Sequence, residues 1–119
     1  MNKGKYVNLE ALKGNDREYI IKDNNYIILG RIFIVELDKK NKFCQFRLKF
    51  HNQNNGGYEY LKDTLNLMLG ILFKNMGLNK VNVMVHESIN INAFIDLGFQ
   101  LEGIIKIGRA SCRERVFAG

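Results

Sequence analysis

Three observations predict an α/β (α+β) fold built on one mixed, mostly antiparallel sheet. The first half alternates apolar and polar residues with a period of two, the signature of pleated segments. A long apolar run, Tyr60 to Met76, carries helical spacing in the middle of the chain. Beyond it, Gly77 to Gly103 reads as a helix stop, a strand, a second short helix and a further extended piece. Strands joined by short turns pair antiparallel, whereas the strand after the long run is reached only through a helix, the crossover that a parallel neighbour requires.

The elements follow in order. Lys5 to Leu12 is a first strand, with Val7, Leu9 and Ala11 alternating against polar or aromatic neighbours. Gly14-Asn15-Asp16 breaks it, Asp16 to Lys22 is expected to make one helical turn, and Asp23-Asn24-Asn25 is turn chemistry. Tyr26 to Leu37 is apolar on both faces and reads as a central strand covered on both sides. Asp38-Lys39-Lys40-Asn41 turns the chain into Phe43 to Phe50, where Cys44, Phe46, Leu48 and Phe50 share one face and Gln45, Arg47 and Lys49 the other. In the long helix Leu61, Leu65, Met68, Leu72 and Met76 form one stripe, which Leu69, Ile71 and Phe73 widen. Gly77 ends it by taking a left-handed conformation. Val81, Val83 and Val85 alternate along the next strand. Ser88 caps the short helix, Ile91, Phe94 and Ile95 share its face, and Gly98 closes it before Phe99 to Ile105 extends again.

At 119 residues, 46% of them hydrophobic, the chain buries enough surface for one domain without cross-links. It contains no run of about 18 uncharged apolar residues and no apolar segment after Met1-Asn2-Lys3-Gly4-Lys5, so the expectation is a cytoplasmic protein without a membrane partner. Lysine supplies most of the positive charge as far as Lys106 and arginine takes over: three of the six arginines lie in the last eleven residues. Gly108 to Val116 resembles a translated sequencing-adaptor sequence, which assigns residues 1–106 to the domain and 107–119 to a non-native tail outside the fold. Without that tail the formal charge falls from +6 to +4. Such an excess attracts an anionic cofactor or nucleic acid, but a solvated lysine-rich surface is the more common explanation, so nucleic acid is not the expected partner. Cys44 is then the only natural cysteine and reads as a small buried hydrophobe. No disulfide or metal cluster is implied.

The order helix, strand, helix, then Leu97-Gly98-Phe99 and Glu102-Gly103, resembles the C-terminal half of the GNAT acetyltransferases, in the branch that acetylates protein N-termini. Upstream, Ile28-Leu29-Gly30-Arg31-Ile32 resembles the family's Ile-Gly-x-Ile strand, and Phe43 to Phe50 the strand leading to its coenzyme A loop; about residues 26–103 are covered. The resemblance implies a sheet with a splayed parallel strand pair and helices on both faces, acetyl-CoA as cosubstrate, and transfer to an amine acceptor by direct attack. It also implies that the family's two helices between its first strands, which shape the acceptor groove, have no room here, and that the chain lacks the family's last hairpin strand, which a partner in a homodimer could add at the sheet edge.

Site residues follow from the same resemblance. The backbone of Lys49, Phe50 and His51 would hold the pantetheine arm. The family's pyrophosphate loop, Gln/Arg-x-x-Gly-x-Gly/Ala, corresponds to Gln53, Asn54, Asn55, Gly56, Gly57 and Tyr58; Gln53 and Gly56 match, and Tyr58 stands where a small residue belongs. Glycines let backbone N–H groups approach an anion at a helix start, while a plain strand-to-helix turn uses the same residue types. Glu87 falls where the family has an asparagine. Phe94 falls where it has the tyrosine that protonates the departing thiolate, which a phenyl ring cannot do. Glu36 and His51 are the candidate bases, and His86 is a third option, able to act near neutral pH. The eroded motif also leaves open a GNAT-like binding or interaction module without catalysis.

Overall fold

The computed structural model describes residues 2–12, 14, 17–51, 57–86, 91–102 and 107–113. Strands β1 (Asn2–Lys3), β2 (Val7–Ala11), β3 (Glu18–Asp23), β4 (Ile28–Asp38) and β5 (Phe43–Phe50) come first, then α1 (Tyr58–Leu69), a π-helical segment (Gly70–Asn75), β6 (Lys80–His86), α2 (Ile91–Asp96), β7 (Gln100–Glu102) and β8 (Ile107–Arg113). They form one sheet in the order β1-β2-β3-β4-β5-β6-β8-β7. Every neighbouring pair is antiparallel except β5 and β6, which α1 joins as the crossover demands.

The alternation decides which face is buried. Leu9, Tyr19, Ile21, Ile32, Ile34, Cys44, Phe46, Leu48, Val81 and Val83 belong to one core with Leu61, Leu65, Met68, Leu69 and Leu72 of the long helical element and Ala93 and Phe94 of α2. Leu61, Leu65, Met68 and Leu72 recur at the three- and four-residue spacing that puts them on one stripe. Both helices serve this one core and touch each other. The expected mixed sheet is present, but the described residues put no helix on its other face. That corrects the placement of helices on both faces, and with it the reading of Tyr26 to Leu37 as covered on both sides. Phe33 is half-buried, and Val35, the extra residue at a bulge, is 46% exposed. The cause is the short link between β2 and β3, where Leu12 N–H already bonds Glu18 O at 2.9 Å.

Other expectations shift too. Residues 18–22, expected as a helical turn, belong to β3, because Tyr19 and Ile21 reach the core from a strand paired on both sides. The helix from Tyr60 to Met76 begins at Tyr58 and passes into the π-helical segment at Gly70. This widened turn lets Ile71, Leu72 and Phe73 all be buried. Ile95 is 51% exposed rather than on the core face of α2. The Gly98 stop is as expected: at φ +92° it returns the chain so that Phe99 N–H bonds Phe94 O at 3.0 Å.

The C-terminal segment is the largest correction. Residues 107–113, expected outside the fold, form β8 and pair with β6 over the full length from Lys80↔Arg113 to His86↔Ile107. A ladder is made of backbone groups, so a segment without apolar periodicity can still complete it. The strand assigned to a homodimer partner is therefore supplied by this chain.

Candidate functional site

β5 and β6 run parallel only part of the way. Their ladder extends from Phe43↔Lys80 to Arg47↔Met84, after which β5 continues to Phe50 and β6 to His86 without pairing. The strands diverge at Arg47 and Met84, opening a cleft through the sheet.

Backbone alternation sets what faces this cleft. His51 N–H bonds Leu29 O at 2.8 Å, and Arg31 lies opposite Lys49 two residues further along the same pair of strands. In an antiparallel ladder every second residue turns its polar groups to the partner, so Arg47, Lys49 and His51 turn theirs toward β4. The carbonyl of Leu48 and both backbone groups of Phe50 consequently point into the divergence. A Cβ built at Gly30 would fall on the Lys49 carbonyl oxygen and within 2.8 Å of Phe50 Cα, so β4 lies tightly against β5 at this height.

α1 begins on the helix face beyond the end of β5. Gly57 is its N-cap, with no side-chain capping bond among the described residues, so the first-turn N–H groups stay available to an anion. Glu59 sits in that turn and works against negative charge. Tyr58 is committed elsewhere. Its hydroxyl donates to Asp96 Oδ2 at the end of α2, and Lys62 Nζ donates to the Tyr58 oxygen at 3.3 Å while lying 5.5 Å from the ring centroid. The phenol beside Lys62 raises the lysine's pKa above its ordinary value. Tyr58 thus ties α1 to α2. A separate groove on the flank of α1 is lined by Lys5, Tyr6, Lys62, Asp63, Asn66 and Leu97. There Asp63 Oδ2 accepts from the N–H groups of Tyr6 and Val7 at 2.7 and 2.9 Å, anchoring the N-terminal strands to the helix.

The sequence-derived candidates therefore separate. Phe50 and His51 stand at the cleft, with His51 exposed. Lys49 is there too, but its backbone belongs to the β4 ladder and its side chain is exposed on the face opposite the helices. Glu36 lies on that same open face, opposite Gln45 and two residues back from the row in which the strands part. Phe94 is fully buried, with its ring edge-on to Phe99 at 5.3 Å, a core residue rather than a wall of the cleft. Gln53, Asn55, Gly56 and Glu87 lie outside the described residues, as do Asn54 and Ser88. His86 ends the opposite strand. The reading from sequence missed Arg47 and Met84 as the divergence point and Asp96 as the partner of Tyr58. Arg47 was visible on the polar face of β5, but strand register and a contact 38 residues apart leave no local signal.

No protein-family model and no curated protein sequence matches the chain. Solved structures do. The N-terminal domain of ribosomal-protein-alanine acetyltransferase from Clostridium acetobutylicum ATCC 824 is 36% identical, with a TM-score of 0.89, over 100% of this chain and 99% of that one. Spermidine N-acetyltransferase SpeG from Vibrio cholerae, in complex with CoA and spermine, superposes with a TM-score of 0.70 at 14% identity, over 86% of this chain and 68% of its own. A dodecameric structure of the same enzyme gives 0.68 at 15%, over 82% and 64%. These last two share the fold alone. Full-length identity to the first, together with the diverging parallel pair and its crossover helix, identifies the chain as a member of the GNAT N-acetyltransferases.

Proposed function

We propose that this chain is an acyl-CoA-dependent N-acetyltransferase that transfers an acetyl group to an amine by direct attack. The observation that carries the reading is the divergence of β5 from β6 after Arg47↔Met84, with the first turn of α1, uncapped by any described side chain, beyond the end of β5. Acetyl-CoA supplies the activated acetyl group. Leu48 and Phe50 would bind the pantetheine amides through backbone groups, and Gly57 with the preceding loop, Gln53, Asn55 and Gly56, would hold the pyrophosphate. In the transfer the amine nitrogen bonds to the thioester carbonyl carbon, the C–S bond breaks, the base takes the proton lost by nitrogen, and the departing thiolate is protonated to CoA-SH. His51 is the base we favour over Glu36, because it lies at the cleft whereas Glu36 sits opposite Gln45, two residues back from the row where the strands part. With Phe94 buried no acid from α2 is assigned, so the thiolate takes its proton from solvent, and slow turnover is expected.

A catalytically eroded binding module is the second reading, favoured by Tyr58, whose hydroxyl and ring are occupied by Asp96 and Lys62 where the family has a small residue. The Lys-to-Arg switch still supports a foreign coding origin for residues 107–119, and β8 is compatible with it because its ladder is made of backbone. The deciding experiment is thermal denaturation with acetyl-CoA, since a ligand that binds only the native state stabilises it by mass action. The expected result is a small rise in Tm that shrinks with salt. No rise at millimolar acetyl-CoA would leave the binding module as the better reading.

A further inference from the structure

The open face of the sheet carries an arrangement that the transfer reading does not use. Register places Phe33, Arg47 and Met84 side by side across β4, β5 and β6 in the row where the strands part, and the next row on the same face holds Ile20, Arg31 and Lys49. On β3, β4 and β5 four cations line this face, Lys22, Arg31, Arg47 and Lys49, and two of them are already paired. Lys22 Nζ lies 2.6 Å from Glu10 Oε2, and Arg31 Nη1 lies 3.4 Å from Glu18 Oε2. Arg47 and Lys49 are exposed and have no ion pair among the described residues. The remaining acid of these rows, Glu36, sits two residues back toward the closed end. Field at the cleft mouth is thus positive on the side away from the helices.

That is the side from which an acceptor must come. The first turn of α1, where pyrophosphate is placed, lies with the helices, so a thioester threaded through the cleft is reached by the amine from the opposite face. The described residues put no helix over that face, which leaves an extended chain room to lie across it. Arg47 and Lys49 are two residues apart on one strand and point to the same side, a separation of about 7 Å. Acidic side chains at alternate positions of an extended peptide have the same spacing.

We propose that the acceptor is the α-amine of a peptide with acidic residues at alternate positions close to its N-terminus, held by Arg47 and Lys49, and not a polyamine or a basic peptide. A polycation would be repelled by these two charges, whereas carboxylates approach them with favourable and salt-screened attraction. The proposal rests on the N-acetyltransferase reading and names its substrate class.

The test is fluorescence anisotropy of two peptides labelled at the C-terminus, one beginning Ser-Asp-Ala-Glu-Ala and the other Ser-Lys-Ala-Lys-Ala, with the full chain at low salt. The acidic peptide should bind at least about tenfold more tightly, by an advantage that falls as salt rises. The double variant Arg47→Glu, Lys49→Glu should reverse the preference, and Arg47→Gln, Lys49→Gln should abolish it if the reversed protein does not fold. Equal binding of the two peptides, tighter binding of the basic one, or a preference that survives both variants overturns the proposal. So does loss of the acetyl-CoA Tm shift in the glutamine variant with peptide preference intact, because the cations would then serve the cosubstrate. Peptide binding is read without acetyl-CoA, so a preference for acid with no acetyl-CoA shift in the native chain would remove transfer and leave the peptide site standing.

Discussion

The two faces of this sheet are made by the same strands and do different work. On β5, Cys44, Phe46 and Leu48 are buried under α1, while Arg47 and Lys49, one residue away from them, are exposed. The helix face holds the fold through apolar area removed from water. The other face, left open by the short β2–β3 link, is free to hold charge next to the cleft. Buried apolar and exposed charged residues are therefore separated here at single-residue spacing.

The most severe way to break that separation is to remove the strand that both faces share at one edge. Ending the chain after Lys106 deletes seven register pairs with β6 and exposes its edge. At roughly 1 kcal/mol per ladder hydrogen bond, Tm should fall by many degrees or folding should fail. An unchanged melting curve would return residues 107–113 to a dispensable tail. Next in size is Phe46→Ala, which empties a fully buried site and should cost about 3–5 kcal/mol in urea denaturation. Arg47→Ala, beside it on the open face, should stay within about 0.5 kcal/mol. Similar losses for the two would erase the contrast between the faces.

Phe94→Tyr sharpens the comparison at α2. The ring is sealed against Phe99, so an added hydroxyl has to be buried and should cost about 1–3 kcal/mol without raising turnover. A gain in turnover would put the ring in the cleft after all. The smallest effect concerns Cys44, whose thiol is pushed up to about 12 from its ordinary 9.0 by burial, with Arg17 pulling it down and Glu36 up to lesser extents. A raised acid favours its neutral form in the folded chain. Its contribution to stability is present below about pH 9 and is lost as pH climbs from there toward 12. A thiol reagent at pH 8 should label Cys44 only after denaturant is added; rapid labelling of the native chain would show that the helix face opens readily.

The sequence made the helix face readable because burial and period coincide. Val81 and Val83, Phe46 and Leu48, and the Leu61–Leu65–Met68 stripe are where their spacing puts them. The Gly98 turn and the parallel β5–β6 pair were equally legible, since one needs a positive φ and the other a crossover. Expectations failed where the outcome depends on partners distant in sequence. Residues 18–22 became a strand because β2 and β4 flank them, and residues 107–113 joined the sheet because β6 offered an edge. At the site, Phe50 ends β5 and His51 follows it, which the alternation of that strand made legible as a position. Phe94 packs against Phe99, a contact that a count along a helix cannot reveal, because the count does not say whether a ring faces a cleft or another ring.

The close approach at Gly30 also makes the cleft mechanically lopsided. One lip, β5, is braced against β4 by backbone contact that leaves no room for even a methyl group, and it is tied again where His51 bonds Leu29. The other lip, β6, is backed by β8 and β7, the last of which is a three-residue strand at the margin of the sheet. The backbone packing at this cleft is therefore tighter on its β5 side, where β4 leaves no room for a Cβ at Gly30, and the β6 side ends two strands away in the short β7.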